Sequence, residues 1–204
     1  MEVTYFGMNC VRLTGKGVSI ICDPYADLSA AKGSFDVILL SQDEGVTAPP
    51  GPGMIIDGPG EYEVKNCLIT GVPATLHTEE EGNNSTIYSI LIDGVRVLHL
   101  GNISPKLADS QIEAIGEVDV LTIPVGGHGL TLDATAAAEI ISQLEPKYII
   151  PTHYDDGKTK YSVAQDKLEV FLKEIGAHPE PVGKLKVVAK DLPLETTTII
   201  LEKA

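Results

Sequence analysis

The chain states one short pattern twice. Gly17-Val18 through Cys22-Asp23, followed by Phe35-Asp36-Val37-Ile38-Leu39-Leu40, is echoed by Gly94-Val95 through Gly101-Asn102, followed by Val118-Asp119-Val120-Leu121-Thr122-Ile123. Each copy gives a strand that ends on a polar residue, then a crossover, then a buried strand with Asp at its second position. Such a pattern predicts two similar β-rich halves packed face to face, with their polar strand ends meeting at one rim. A chance match over so short a stretch is the competing reading. Functional residues belong at such a rim, because rigid strands hold them while loops leave them open. The expected organisation is a single domain over residues 1–204, divided into pseudo-repeated halves of about 1–77 and 84–204.

Turn residues cut the rest into short elements. Val3-Thr4-Tyr5-Phe6, Cys10-Val11-Arg12-Leu13 and Val18-Ser19-Ile20-Ile21-Cys22 read as strands around a Gly15-Lys16-Gly17 turn. Residues 47–60 are rich in Gly and Pro and predict loop or very short strand. Residues 67–72 read as a strand, and residues 87–92 and 95–100 around Asp93-Gly94 read as a hairpin. Residues 147–151, 185–189 and 197–201 supply the last strands. Three helices are expected. One opens at Ser104 with Pro105 at its first position and ends at Gly116. Another follows Asp133 as N-cap, with Ala137, Ile140, Ile141 and Leu144 on one face. The third opens on a Ser162-x-x-Gln165 capping box, carries Ala164, Leu168, Phe171 and Ile175 at helical spacing, and stops at Gly176.

Composition excludes several classes of function. Against 29 acidic residues stand 15 Lys and Arg, a net charge of -14, and only Arg12 and Arg96 are arginines. Phosphate backbones need clustered cations, so nucleic acid is not an expected partner, and neither is an anionic membrane surface. With no Trp and three Phe, no base-stacking surface is expected. No apolar run approaches the ~20 residues needed to span a bilayer, and Met1-Glu2-Val3-Thr4-Tyr5 has no secretory pattern, so a soluble, cytoplasmic protein is expected. Cys10, Cys22 and Cys67 are odd in number and lie in apolar runs, which predicts small buried hydrophobes rather than disulfides. There is no G-x-S-x-G nucleophile elbow and no P-loop.

Several longer segments carry a family resemblance. They are Val3-Thr4-Tyr5-Phe6-Gly7-x-x-Cys10, Asp23-Pro24, Gly58-Pro59-Gly60-Glu61-Tyr62-Glu63-Val64, Val97-Leu98-His99-Leu100-Gly101-Asn102, Ile123-Pro124-Val125-Gly126-Gly127 and Ile149-Ile150-Pro151-Thr152-His153-Tyr154. In these the chain resembles the metallo-β-lactamase superfamily, in the small hydrolase-like branch that includes the ascorbate-phosphate lactonase type. The resemblance implies an α/β fold, a four-layer αββα sandwich, with one or two metal ions at its rim.

The same resemblance marks a departure. The family's H-x-H-x-D-H loop follows a strand such as 35–40, and its three His positions here hold Gln42, Glu44 and Thr47, while Val46 stands at the Asp position. His77 and His153 match the later His ligands, and Asn102 stands where an Asp bridges two ions. Met8 also stands where the family often has His. Among these, Glu44, His77, Asn102 and His153, with Asp43, form the remaining donor set, which is oxygen-rich enough to suit Mn or Mg better than a tight Zn site. Asp23 and His99 are expected behind the site, Asp23 to fix its loop and His99 as a satisfied core histidine. His77 has a competing role as an exposed polar residue, His128 as a loop residue, His178 as surface, and Asp133 as a helix cap. Two functions follow. One is a pseudoenzyme binding module for a small molecule or protein. The other is a divergent hydrolase of a small ester, lactone or phosphorylated substrate with one weakly held divalent ion (Zn, Mn or Mg). A homodimer is the default assembly.

Overall fold

The computed structural model describes residues 1–26, 33–43, 45–79, 81–82 and 84–204. Alternation of buried and exposed positions, or burial of every position, makes the strands. β1 (Glu2–Gly7), β2 (Cys10–Gly15), β3 (Val18–Cys22), β4 (Val37–Leu39) and β5 (Met54–Ile56) build the first sheet. β6 (Gly60–Val64), β7 (Cys67–Ala74), β8 (Ser85–Ile92), β9 (Val95–His99), β10 (Val120–Pro124) and β11 (Tyr148–Thr152) build the second. Two short late strands, β12 (Leu185–Lys186) and β13 (Thr197–Thr198), are added at the edges. The orders are β12-β1-β2-β3-β4-β5 and β13-β11-β10-β9-β8-β7-β6, both mixing parallel and antiparallel pairs. This is the expected α/β sandwich.

The period of two in the strands sorts side chains to two sides. Val11, Leu13, Ile20, Cys22, Val37 and Leu39 join the main core, where they meet Ile69, Ile87, Tyr88, Ile90 and Val97 of the second sheet. Cys10, Ile21 and Ile38, on the alternate positions, form a smaller cluster with Phe6 and Phe35. Hydrogen bonds also join the sheets at the rim. The Tyr88 hydroxyl reaches the carbonyls of Leu40 at 2.9 Å and Ile56 at 3.1 Å, and the Thr86 N–H donates to the Ser41 carbonyl at 2.8 Å. All three cysteines are buried thiols, and burial pushes the thiol of Cys67 up to about 11.

The repeated sequence pattern occupies matching places. β3 pairs parallel with β4 at Ile20↔Val37, Ile21↔Ile38 and Cys22↔Leu39, while β9 pairs parallel with β10 at Val97↔Val120, Leu98↔Leu121 and His99↔Thr122. The repeated Asp does the same job in both. Asp36 accepts from the Ser19 N–H at 2.9 Å, and Asp119 accepts from the Arg96 N–H at 2.7 Å. At the far end the Asp23 N–H donates to Leu39 at 2.9 Å and the Leu100 N–H to Thr122 at 3.3 Å.

Helices depart from their expected starts in two cases. α1 (Asp109–Ile115) begins later than Ser104: the segment at Ser104 runs beside the Thr75 strand end, its N–H donating to the Thr75 carbonyl at 2.8 Å, and the Gln111 side chain caps the Ala108 N–H at 2.8 Å. α2 (Ala134–Leu144) starts where expected, with the Asp133 carboxylate accepting from the Ala136 N–H at 2.8 Å. α3 (Leu168–Glu174) begins after Lys167, not at Ser162, because Gln165 is drawn inward and does not cap the helix. No helix is long and apolar enough to cross a membrane among the described residues.

Candidate functional site

The ends of β3, β4, β9 and β11 converge on one cavity of about 270 Å³. Asp23 follows β3, Gln42 follows β4, Asn102 lies just beyond β9, and His153 follows β11 directly, and all four line it. Met8 and Asn9, in the β1–β2 turn, and Tyr161, beyond β11, also line it. Three residues take left-handed backbone to turn into it: Met8 (φ 49°), Asp23 (φ 46°) and His153 (φ 51°). A non-glycine residue pays for that conformation, and such residues gather at functional sites.

Asp23 is a buried clasp between the sheets. One carboxylate oxygen accepts from the Ser41 N–H at 2.7 Å. The other accepts from the Ser41 hydroxyl at 2.7 Å and from His99 Nε2 at 2.8 Å. His99 Nδ1 lies 2.9 Å from the Thr122 hydroxyl. Asp23, Ser41 and His99 are buried to 3%, 1% and 1% exposure, so the set is not a nucleophilic triad: Ser and His bond the same carboxylate oxygen, and neither faces substrate. Gly101 makes this approach feasible, since a Cβ there would sit 2.4 Å from Ser41 Oγ. His99 is a buried histidine with both ring nitrogens within hydrogen-bond reach of a partner, and Asp23 holds the Ser41 N–H.

A second network runs through amides. The Thr152 hydroxyl donates to Asn9 Oδ1 at 3.0 Å, and Asn9 Nδ2 donates to Asn102 Oδ1 at 2.8 Å. The Asn102 oxygen is thereby turned toward Asn9, and its Nδ2 has no hydrogen bond among the described residues. His153 is oriented in the same way. Gln165 Nε2 donates to the carbonyls of Val163 and Ala164 at 3.1 and 3.0 Å, which turns Oε1 toward His153 Nδ1 at 3.2 Å. An amide oxygen can only accept, so Nδ1 carries the proton and Nε2 keeps its lone pair. Burial depresses the His153 pKa below its ordinary value, with the Gln165 bond opposing. At Gly126 a Cβ would lie 2.2 Å from Gln165 Oε1, so glycine is required there for this contact.

The other expected residues are dispersed. His77 is half-buried, with Nδ1 donating to the Ile103 carbonyl at 3.1 Å, and it does not line the cavity. Thr47 is exposed and away from the lining, while Val46 lines it as an apolar wall. Glu44 lies outside the described residues. His128 pairs with Asp166 at 3.0 Å on the surface, and His178 is exposed. Asn9, Tyr161 and Gln165 were missed. Asn9 occupies a position of the Val3–Cys10 segment that no pattern constrains, and the Ser162-x-x-Gln165 spacing fits a capping box as well as it fits an inward-turned Gln165.

Do these residues fit a metal? Among the described residues no three His, Cys, Asp or Glu come together to hold an ion. Asp23 has both oxygens taken, and Asn102 offers a neutral oxygen already bonded to Asn9. A neutral amide is a poor bridge between two cations, because it brings no negative charge to offset them. The described donor set does not fit a dinuclear centre.

Comparison with known proteins gives the ancestry. The sequence profile of the Beta-lactamase superfamily domain matches residues 2–153. The chain belongs to the metallo-β-lactamase superfamily. A structure from Thermotoga maritima, described as a Zn-dependent hydrolase of the metallo-β-lactamase superfamily, superposes with a TM-score of 0.82 at 31% identity, covering 98% of each chain. A metal-dependent hydrolase of Thermococcus onnurineus is 32% identical over 129 residues, 60% of this chain and 54% of that protein. One from Pyrococcus furiosus is 32% identical over 123 residues, 57% of this chain and 52% of that protein. The chain therefore spans about half the length of these two relatives. This superfamily member thus stands among relatives named as metal-dependent hydrolases.

Proposed function

We propose that this superfamily member is a non-catalytic binding module that takes a small molecule at the rim cavity and has given up the dinuclear centre. The observation that carries the reading is Asn102. It stands where the resemblance expects a bridging carboxylate, and its one acceptor atom is already held by Asn9 at 2.8 Å. That oxygen keeps a second lone pair, but it is neutral and turned toward Asn9, so it offsets a cation's desolvation far less than the carboxylate it replaces. A cytoplasmic location belongs to the same reading, supported by three buried free thiols.

A second reading is favoured by one observation. His153 and His77 each donate through Nδ1 to a carbonyl oxygen, which leaves Nε2 free in the manner of a metal-bound imidazole. Under it, a single divalent ion would be held by some of Glu44, His77, Asn102 and His153, and the protein would hydrolyse a small ester, lactone or phosphorylated substrate, as its relatives' names suggest.

Elemental mass spectrometry separates the two. The protein is incubated with zinc and with manganese, desalted, and its metal content measured. The binding-module reading expects no stoichiometric metal. A stoichiometric ion that disappears in His153→Ala would overturn it in favour of the hydrolase.

A further inference from the structure

We infer that the rim cavity selects a small, flat, uncharged ligand carrying an amide-like pair: an N–H to donate and a carbonyl to accept. The inference rests on the binding-module reading and names the chemistry of its ligand.

The two networks decide which atoms the cavity presents. Thr152 and Asn9 turn Asn102 so that its oxygen faces Asn9 and its Nδ2 is left to donate. Gln165 turns His153 so that Nδ1–H faces away and Nε2 is left to accept. Both residues line the cavity and are almost wholly buried, at 6% exposure each. A donor and an acceptor so placed, with their orientation set from behind, require the converse pair on a ligand. Buried polar groups left unmatched cost ~1–3 kcal/mol each, which is how such a site discriminates.

Charge complementarity points the same way. Among the described residues the lining holds no Lys or Arg to meet an anion, and the chain's net charge of -14 repels one at a distance. Asp23 is the one carboxylate in that lining, and its oxygens already accept three hydrogen bonds, so a cation finds little to pair with. A cation that donated to His153 would also set its charge against the Asn102 N–H groups. Met8, Val46 and Leu130 supply apolar wall, and the His153 and Tyr161 rings, 5.1 Å apart and inclined at 47°, give a face for a planar group. At about 270 Å³ the cavity lies below the ~300–1,000 Å³ usual for drug-sized ligands.

Three probes of one shape test this: benzamide, benzoate and benzamidinium. Each is titrated into the metal-analysed protein at neutral pH and followed by calorimetry and by the NMR signals of the His153 ring. Benzamide is expected to bind about tenfold more tightly than either charged isostere. Asn102→Asp keeps an oxygen for the Asn9 donor, so the fold is retained, but it converts the donor facing the cavity into an acceptor. In that variant benzamide is expected to lose about tenfold and benzamidinium to move ahead. The proposal is overturned if either ion leads on the parent protein, if benzamide does not bind at millimolar concentration, or if Asn102→Asp leaves the order unchanged. Stoichiometric metal in the same sample overturns the binding-module reading whichever probe binds, whereas a metal-free sample that ignores benzamide overturns only the ligand class.

Discussion

His153 shows how much one side chain can owe to its neighbours. Its identity and its place after a strand were legible in Ile149-Ile150-Pro151-Thr152-His153, but its tautomer depends on Gln165, twelve residues away. Burial holds its folded pKa below the unfolded value of 6.5. The unfolded chain therefore takes up this proton first as pH falls, and protonation favours unfolding. The resulting stability is fully present above pH 6.5 and is lost as pH falls from there through the depressed folded pKa. His153→Gln, which can still donate to Gln165, is expected to flatten the fall in denaturation midpoint across that interval. Urea unfolding of both proteins at a series of pH values checks this, and an unchanged slope would mean that His153 is not the group responsible.

At the scale of elements, local chemistry placed some boundaries and tertiary partners moved others. Asp133 was readable as an N-cap because a short acceptor before an apolar-periodic run satisfies an orphan N–H, and it accepts from Ala136 at 2.8 Å. Asp133→Ala is expected to cost about 1 kcal/mol, measured as a lower chemical-denaturation midpoint with an unchanged slope. Ser162 and Gln165 carried the same local signal and gave the wrong start for α3, because Gln165 gained more from His153 and the carbonyls of Val163 and Ala164 than from capping a helix. Ser104 likewise lies outside α1, in a segment tied to the Thr75 carbonyl, and Gln111 caps the helix at Ala108. The twice-used Asp, at 36 and 119, holds the neighbouring strand in the same way in both sheets. We propose from this that the halves of about 1–77 and 84–204 are pseudo-repeats.

For the whole molecule, the main apolar cluster draws on both sheets, and Asp23 and Tyr88 tie them together at the rim. Each sheet contributes to that main cluster, so removing either one exposes most of it. A single cooperative unfolding transition is expected, with far-ultraviolet circular dichroism and tyrosine fluorescence changing together, and separate midpoints would contradict a shared core. The sequence by itself determined most strands and the helix after Asp133, since strand periodicity, turn residues and buried apolar runs are local properties that survive without knowing what they pack against, and its motif segments carried the resemblance that implied the α/β sandwich and the superfamily. It also marked Asp23, Asn102 and His153, which the structure places at strand ends lining one cavity. Only the tertiary structure decided what those residues offer. The orientation of an amide or imidazole is set by partners distant in sequence, such as Asn9 for Asn102, and a hydrogen bond spends a donor or acceptor without leaving any mark in the order of residues.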